Sequence, residues 1–114
     1  MGKRVDFRNN TRKVIQSFPA DVKCSLGKAL YVAQMGGVDK RTKPLQGFPG
    51  TEVMEICDNG PDGAFRAVYT TVIKDVIVVL HAFQKKSTKG ISTPKREIDI
   101  IRKRLKEAKE DYGT

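Results

Sequence analysis

The sequence predicts an α+β fold, in which an N-terminal strand and a helical hairpin pack on an antiparallel sheet with a C-terminal helix. Three observations lead to this prediction. Two helical patterns precede a Gly- and Pro-rich loop at 38–50, three strand-like segments follow it, and an amphipathic segment ends the chain. With 114 residues, we expect a single domain, 1–114, with one modest core.

The N-terminal part is predicted to contain a short strand and two helices. Lys3–Phe7 alternates like a strand, and Asn9 or Asn10 can cap a short helix that Pro19 ends. A second helix over 20–37 stops at its two glycines. One face of this helix carries the apolar residues Val22, Leu26, Leu30 and Ala33. The two helices should therefore form a hairpin with a shared apolar face.

The C-terminal part is predicted to form a three-stranded meander followed by a helix. Strand patterns occupy Thr51–Asp58, Gly63–Val72 and Asp75–Phe83, with turn residues between them. The third strand is continuously apolar, which indicates that both of its faces are covered. Thr93 can cap the last helix, and Pro94 suits its first position. Its apolar stripe consists of Ile98, Ile101, Leu105, Ala108 and Tyr112.

The charge distribution predicts a polyanionic partner, which is a nucleic acid, an acidic protein or an anionic membrane. The formal net charge is +9, and the nine cations between Gln84 and Lys106 face only two carboxylates. For the part from Arg102 to Lys106, a solvated helix face is the alternative interpretation. No apolar stretch is long enough to span a membrane and no signal peptide is recognisable, so we expect a cytoplasmic protein.

The basic segment after the third strand of the meander is a candidate phosphate-binding site. Lys95 and Arg96 fall in the first turn of the last helix, where the helix dipole makes each cation unfavourable by roughly 0.3–1 kcal/mol. A bound phosphate reverses this effect, because backbone N–H groups, dipole and cations then all attract it. Lys85, Lys86 and Lys89 would line the approach to this phosphate.

Two further side chains each have two interpretations, and a third has one. Phe83, at the exit of its strand, either stacks on a nucleic-acid base or belongs to the core. Arg66, inside a strand, either binds a ligand phosphate or pairs with Glu55 on the neighbouring strand. His81 is expected to be a core or edge imidazole. Because it is the only histidine, the two-histidine acid–base pair of some ribonucleases is excluded.

No cofactor or metal is expected from the sequence. Cys24 and Cys57 lack metal-ligand spacing and have no neighbouring histidine cluster. The sequence also contains no GxSxG, Walker, HExxH or dinucleotide-binding motif.

Several motifs from Lys43 onward resemble the RelE/ParE toxin superfamily, and more narrowly its phage-derived HigB-like branch. These motifs are KPLQG at 43–47, MEI at 54–56, FRAVY at 65–69 and HAFQKK at 81–86, followed by Lys89, Pro94 and Glu97. The resemblance implies the toxin of a type II toxin–antitoxin pair, acting as a ribosome-dependent endoribonuclease that cleaves mRNA and inhibits translation. It also implies a cognate antitoxin protein and ribosome-bound mRNA as partners.

The resemblance and the charge pattern together identify the candidate site residues. The expected catalytic residues are Arg66, Lys85, Lys86, Lys89 and Arg96, with the two arginines on the phosphate and one lysine as base. The expected RNA-binding residues are Lys43, Phe83, Lys95 and Arg102. Two alternatives remain: a ParE-like DNA gyrase inhibitor of the same fold, and a basic nucleic-acid-binding module without catalysis. A cluster of cations around one phosphate favours cleavage over gyrase inhibition.

Overall fold

Five strands form one mixed sheet in the computed structural model, which describes residues 2–60, 63–85 and 92–114. The strand order is β1-β5-β4-β3-β2. The elements are β1 (Arg4–Phe7), α1 (Thr11–Gln16), α2 (Ala20–Gln34), β2 (Thr42–Pro44), β3 (Val53–Gly60), β4 (Gly63–Thr70), β5 (Val76–Lys85) and α3 (Lys95–Asp111). The predicted α+β architecture with its meander and C-terminal helix is confirmed.

Two features of the sheet differ from the prediction. Strand β1 pairs in parallel with β5, so the sheet is not purely antiparallel. Strand β2 lies at the opposite edge, inside the segment that we predicted as a loop. Alternation identifies a strand but not its partner, and a three-residue strand containing Pro44 gives little periodic signal. The edge position tolerates this proline, because its missing N–H is not needed by another strand.

The sheet has a separate core on each face. On one face, α1 and α2 pack against the sheet, and the predicted helix residues Val22, Leu26, Leu30 and Ala33 are buried there. On the other face lies α3, whose predicted stripe packs through Ile101, Leu105 and Ala108. The central strand β5 contributes to both cores, which confirms that its two faces are covered.

A register shift in β5 decides which of its side chains face α3. Val68 pairs with His81, whereas Tyr69 pairs with Val79, so Leu80 is the extra residue of a bulge. Beyond the bulge, the alternation of faces is reversed. His81 and Phe83 therefore lie on the α3 face, in register with Val68 and Arg66.

Polar contacts fix the orientation of α3 along the sheet. The hydroxyl of Tyr112 donates to Asp6 in β1 at 2.7 Å, and Lys109 forms an ion pair with Glu52. Between these contacts and the start of the helix, Arg104 donates to the carbonyl oxygen of Leu80 at 3.0 Å.

In the described part of the chain, no helix has both the length and the apolar character needed to cross a bilayer.

His81 is a partnered imidazole between the sheet and α3, as expected for a core or edge histidine. Its Nε2 lies 2.8 Å from Oε1 of Glu97, and its Nδ1 lies 3.2 Å from a guanidinium nitrogen of Arg104. Because a guanidinium can only donate, Nδ1 accepts and the proton resides on Nε2. Burial lowers the pKa of His81; Glu97 acts against this shift, and Arg104 adds to it. The imidazole is therefore neutral at pH 7.

This lowered pKa predicts a pH-dependent stability. In the unfolded state, the histidine has an ordinary pKa of about 6.5. As the pH falls, it therefore binds a proton at a higher pH in the unfolded state than in the folded state. The free energy of unfolding should therefore fall as the pH drops from 7.5 to 5.5, by less than about 1.4 kcal/mol per pH unit, the limit for one proton. Urea denaturation at a series of pH values measures this slope.

The control for this measurement is His81→Gln, which keeps a polar group at the site but does not titrate. The slope should be smaller in the variant than in the wild-type protein over the same pH range. Equal slopes would show that His81 does not have a lowered pKa in the folded state.

Candidate functional site

The site residues predicted on the sheet share the face that α3 covers. Lys43 of β2 pairs with Glu55 of β3, and Glu55 pairs with Val68 of β4. In the adjacent row, Cys57 pairs with Arg66, which pairs with Phe83 of β5. Since paired residues lie on the same face of a sheet, these side chains converge where β2, β3 and β4 approach the start of α3.

Glu55 is the buried centre of this region. It is only 1% exposed, and its Oε2 accepts a hydrogen bond from the Thr93 hydroxyl at 2.5 Å. The same oxygen lies 3.9 Å from Nε of Arg66. The prediction that Thr93 caps α3 is therefore wrong: Pro94 occupies the cap position without a side-chain hydrogen bond, and the Thr93 hydroxyl turns to Glu55 instead.

Arg66 combines burial with access to a groove. The residue is 5% exposed, and a terminal nitrogen of its guanidinium donates to Oδ1 of Asn59 at 3.0 Å. The pairing with Glu55 that the sequence offered as one interpretation is present. Arg66 also lines a groove of about 360 Å³ at the β2 edge, so a ligand can reach its guanidinium. The ion pair therefore orients Arg66 without closing it off.

Cys57 lies beside Glu55 as a neutral thiol. Burial raises the pKa of the Cys57 thiol, and Glu55 acts in the same direction, while Arg66 and Lys43 oppose the shift. The protonated thiol donates to Oε1 of Glu55 over 3.6 Å. A thiol held in this form is a hydrogen-bond donor to the carboxylate rather than a nucleophile.

The start of α3 brings exposed cations to the edge of the region. The side chain of Arg96 is 87% exposed and lies 3.9 Å from Glu97, while Lys95 lies 3.5 Å from Asp99. Lys85 donates from Nζ to the carbonyl oxygen of Ser92 at 2.7 Å. This bond joins the end of β5 to the segment that leads into α3. Lys86 and Lys89, which we predicted as catalytic, lie outside the described residues.

Lys43 and Arg102, both predicted to bind RNA, occupy different surroundings. Lys43 is exposed and borders a cleft of about 150 Å³ whose lining includes Glu55 and Thr93. Arg102 donates to the carbonyl oxygen of Gly47 at 3.3 Å and lies over the ring of Phe48 at 4.7 Å. Arg102 therefore braces the loop after β2.

The ring of Phe83 belongs to the core beneath α3. Phe83 is 8% exposed and stacks on His81 with ring centroids 5.2 Å apart. Of its two interpretations, the structure agrees with a core ring.

Sequence reasoning missed two contributors to the site. Asn59, in the predicted turn region after β3, orients Arg66. Arg41 lines the same groove as Arg66, although the sequence places it only within the Gly- and Pro-rich loop at 38–50. The spacing of Arg41 and Lys43 by two residues was the available signal, because residues at this spacing share a face when the chain is extended.

A second groove, at the far end of α3, has the opposite charge. It measures about 430 Å³ and lies between β1 and the last turns of the helix. Its lining includes Asp6, Glu107, Glu110 and Asp111, with Arg8 paired to Asp111. A phosphate chain is repelled by such a lining, so the Arg66 region is the better candidate for binding a polyanion.

Solved structures of RelE toxins resemble this chain in fold. A double mutant of the E. coli toxin RelE in the free state matches with a TM-score of 0.59 and 17% identity, covering 94% of this chain and 98% of that chain. The isolated E. coli RelE toxin matches with a TM-score of 0.58 and 19% identity, covering 88% and 97%. The RelBE2 toxin–antitoxin complex from Mycobacterium tuberculosis gives 0.47 and 14%, covering 76% and 95%.

The sequence itself matches one described family. No curated protein matches the chain at a significant level. Residues 13–106, most of the chain, match the family described as Phage derived protein Gp49-like (DUF891). The chain therefore belongs to the phage-derived Gp49-like family, and its fold is that of the RelE toxins.

Proposed function

We propose that this protein is the toxin of a type II toxin–antitoxin pair and that it cleaves mRNA on the ribosome. One observation supports the proposal most: the buried guanidinium of Arg66 is oriented by Glu55 and Asn59 and faces an open groove lined by further cations. The resemblance in fold to RelE structures, which are toxins, supports the same assignment.

The proposed reaction is attack of an RNA 2′-hydroxyl on the adjacent phosphate. The O2′–P bond forms and the P–O5′ bond breaks, leaving a 2′,3′-cyclic phosphate and a 5′-hydroxyl. The 2′-hydroxyl loses a proton, and the leaving oxygen gains one. Negative charge accumulates on the phosphate oxygens in the transition state, and a guanidinium held in place beforehand stabilises this charge without reorganising. Arg66 and Arg96 are the residues that we assign to the phosphate.

His81 is not the proton-transfer group in this mechanism. Both ring nitrogens are engaged, one with Glu97 and one with Arg104, and the ring is 9% exposed. We therefore retain the basic segment, with Lys85, Lys86 and Lys89, as the proposed source of the proton acceptor. A lysine of this segment would accept the proton of the attacking 2′-hydroxyl.

The proposed biological partners follow from the charge of the protein. A chain of 114 residues with net charge +9 attracts both RNA and an acidic protein. We propose that a cognate antitoxin covers the groove beside Arg66 with an acidic segment and so blocks access to it. Action on ribosome-bound mRNA implies that the protein acts in the cytoplasm.

Mapping mRNA 5′ ends after tightly controlled expression tests the proposed activity. The wild-type protein should create new ends within reading frames, and these should disappear when translation is blocked. Arg96→Ala should reduce their frequency by about tenfold or more, because it removes a cation from the phosphate site. Arg96 suits this test better than Arg66, since its exposed side chain can be removed without disturbing the core.

The matched control is Lys28→Ala, which removes an exposed cation from α2 on the opposite face of the sheet. This variant should cleave mRNA like the wild-type protein. Growth arrest with intact mRNA and damaged DNA would instead indicate gyrase inhibition. Intact mRNA in healthy cells, with salt-dependent RNA binding by the purified protein, would indicate a binding module without catalysis.

A further inference from the structure

The groove beside Arg66 lies at the β2 edge of the sheet. Its volume is about 360 Å³, and its described lining includes four cations and no carboxylate. The cations are Lys40, Arg41, Lys43 and Arg66, and polar side chains such as Cys57 and Asn59 complete the lining. The groove therefore offers more positive charge than one phosphate requires.

Two arginines flank a short side chain in this groove. The backbone N–H of Cys57 donates to the carbonyl oxygen of Arg41 at 3.0 Å, which continues the β2–β3 pairing by one residue. Cys57 also pairs with Arg66, so Arg41, Cys57 and Arg66 follow one another across three neighbouring chain segments. With about 4.8 Å between strands, the backbones of the two arginines are roughly 10 Å apart. The small thiol leaves room between their guanidinium groups.

Arg41 is incompletely satisfied in its present surroundings. Oδ1 of Asp39 accepts the backbone N–H of Arg41 at 2.9 Å, but it lies 3.6 Å from the nearest guanidinium nitrogen. That nitrogen is buried and has no hydrogen-bond partner among the described residues. The side chain as a whole is nevertheless 33% exposed, so its guanidinium can still donate to a phosphate oxygen that enters the groove.

We propose that Arg41 forms a second phosphate subsite, which binds the phosphate next to the one held by Arg66 in a single-stranded RNA. Cys57 forms the floor of this subsite, while Lys40 and Lys43 provide further charge at its rim. The inference deepens the proposed function, because it gives the RNA a path from the start of α3 across the sheet to the β2 edge. Successive phosphates of one strand match a row of guanidinium groups better than an isolated anion does.

Binding of a short, non-cleavable 2′-O-methyl RNA tests the subsite apart from catalysis. Fluorescence anisotropy gives the Kd over a range of salt concentrations. Arg41→Gln should raise the Kd by about tenfold and reduce the slope of log K against log salt by about 0.7, as expected when one contact to a single strand is lost. Lys28→Gln, the matched control on α2, should change neither quantity. Equal behaviour of the two variants would overturn the proposal.

Protection of Cys57 provides a second, local measurement. In a Cys24→Ser background, alkylation of Cys57, measured at a pH alkaline enough to ionise its thiol, should slow several-fold when the oligonucleotide is saturating. The same oligonucleotide should protect Cys57 less when Arg41→Gln is also present. Unchanged alkylation with bound RNA would place the RNA elsewhere and contradict the subsite. Protection by an acidic peptide but not by RNA would make the groove a protein-binding site and would also contradict it.

The subsite and the proposed function can fail separately. If the wild-type protein cleaves mRNA while Arg41→Gln binds RNA and cleaves like Lys28→Gln, the subsite is wrong and the function stands. If Arg41→Gln weakens RNA binding but the wild-type protein leaves mRNA intact, the function is wrong and the subsite stands.

Discussion

The burial of one carboxylate constrains the whole candidate site. Glu55 is 1% exposed in the middle of the sheet, and a charge in such a place must be partnered by hydrogen bonds and opposite charge. Its partners come from three directions: Cys57 on its own strand, Arg66 on the next strand, and Thr93 before α3. The requirement to satisfy Glu55 therefore joins the sheet to the start of the helix.

This arrangement explains how a basic protein can hold a buried arginine ready for a ligand. Glu55 and Asn59 orient the Arg66 guanidinium from strands, which are more rigid supports than loops. The groove beside it keeps the guanidinium accessible, and Lys43 of β2 lines it together with Lys40 and Arg41. A phosphate that enters the groove adds negative charge on the side of Arg66 that the protein leaves open.

Much of the fold was predictable because local patterns determine it, whereas pairing and register were not. The apolar stripe of α3 identified that helix and its buried face, and the strand pattern over Gly63–Val72 identified β4. The bulge at Leu80, however, places His81 and Phe83 on the α3 face, and no local pattern signals an added residue. The Glu55–Arg66 pair was foreseeable from neighbouring strands. Its link to Thr93 was not, because it depends on how the helix start packs over the sheet.

A double-mutant cycle between Glu55 and Arg66 tests the central claim, that the carboxylate and the guanidinium stabilise each other in the folded protein. Urea denaturation would give the free energy of unfolding of the wild-type protein, Glu55→Gln, Arg66→Met and the double variant. Each single variant should lose stability, because it leaves a buried polar or charged partner unmatched. The double variant should be more stable than the sum of the single losses predicts, with a coupling of about 1–3 kcal/mol. Additive losses, within about 0.5 kcal/mol, would contradict the account.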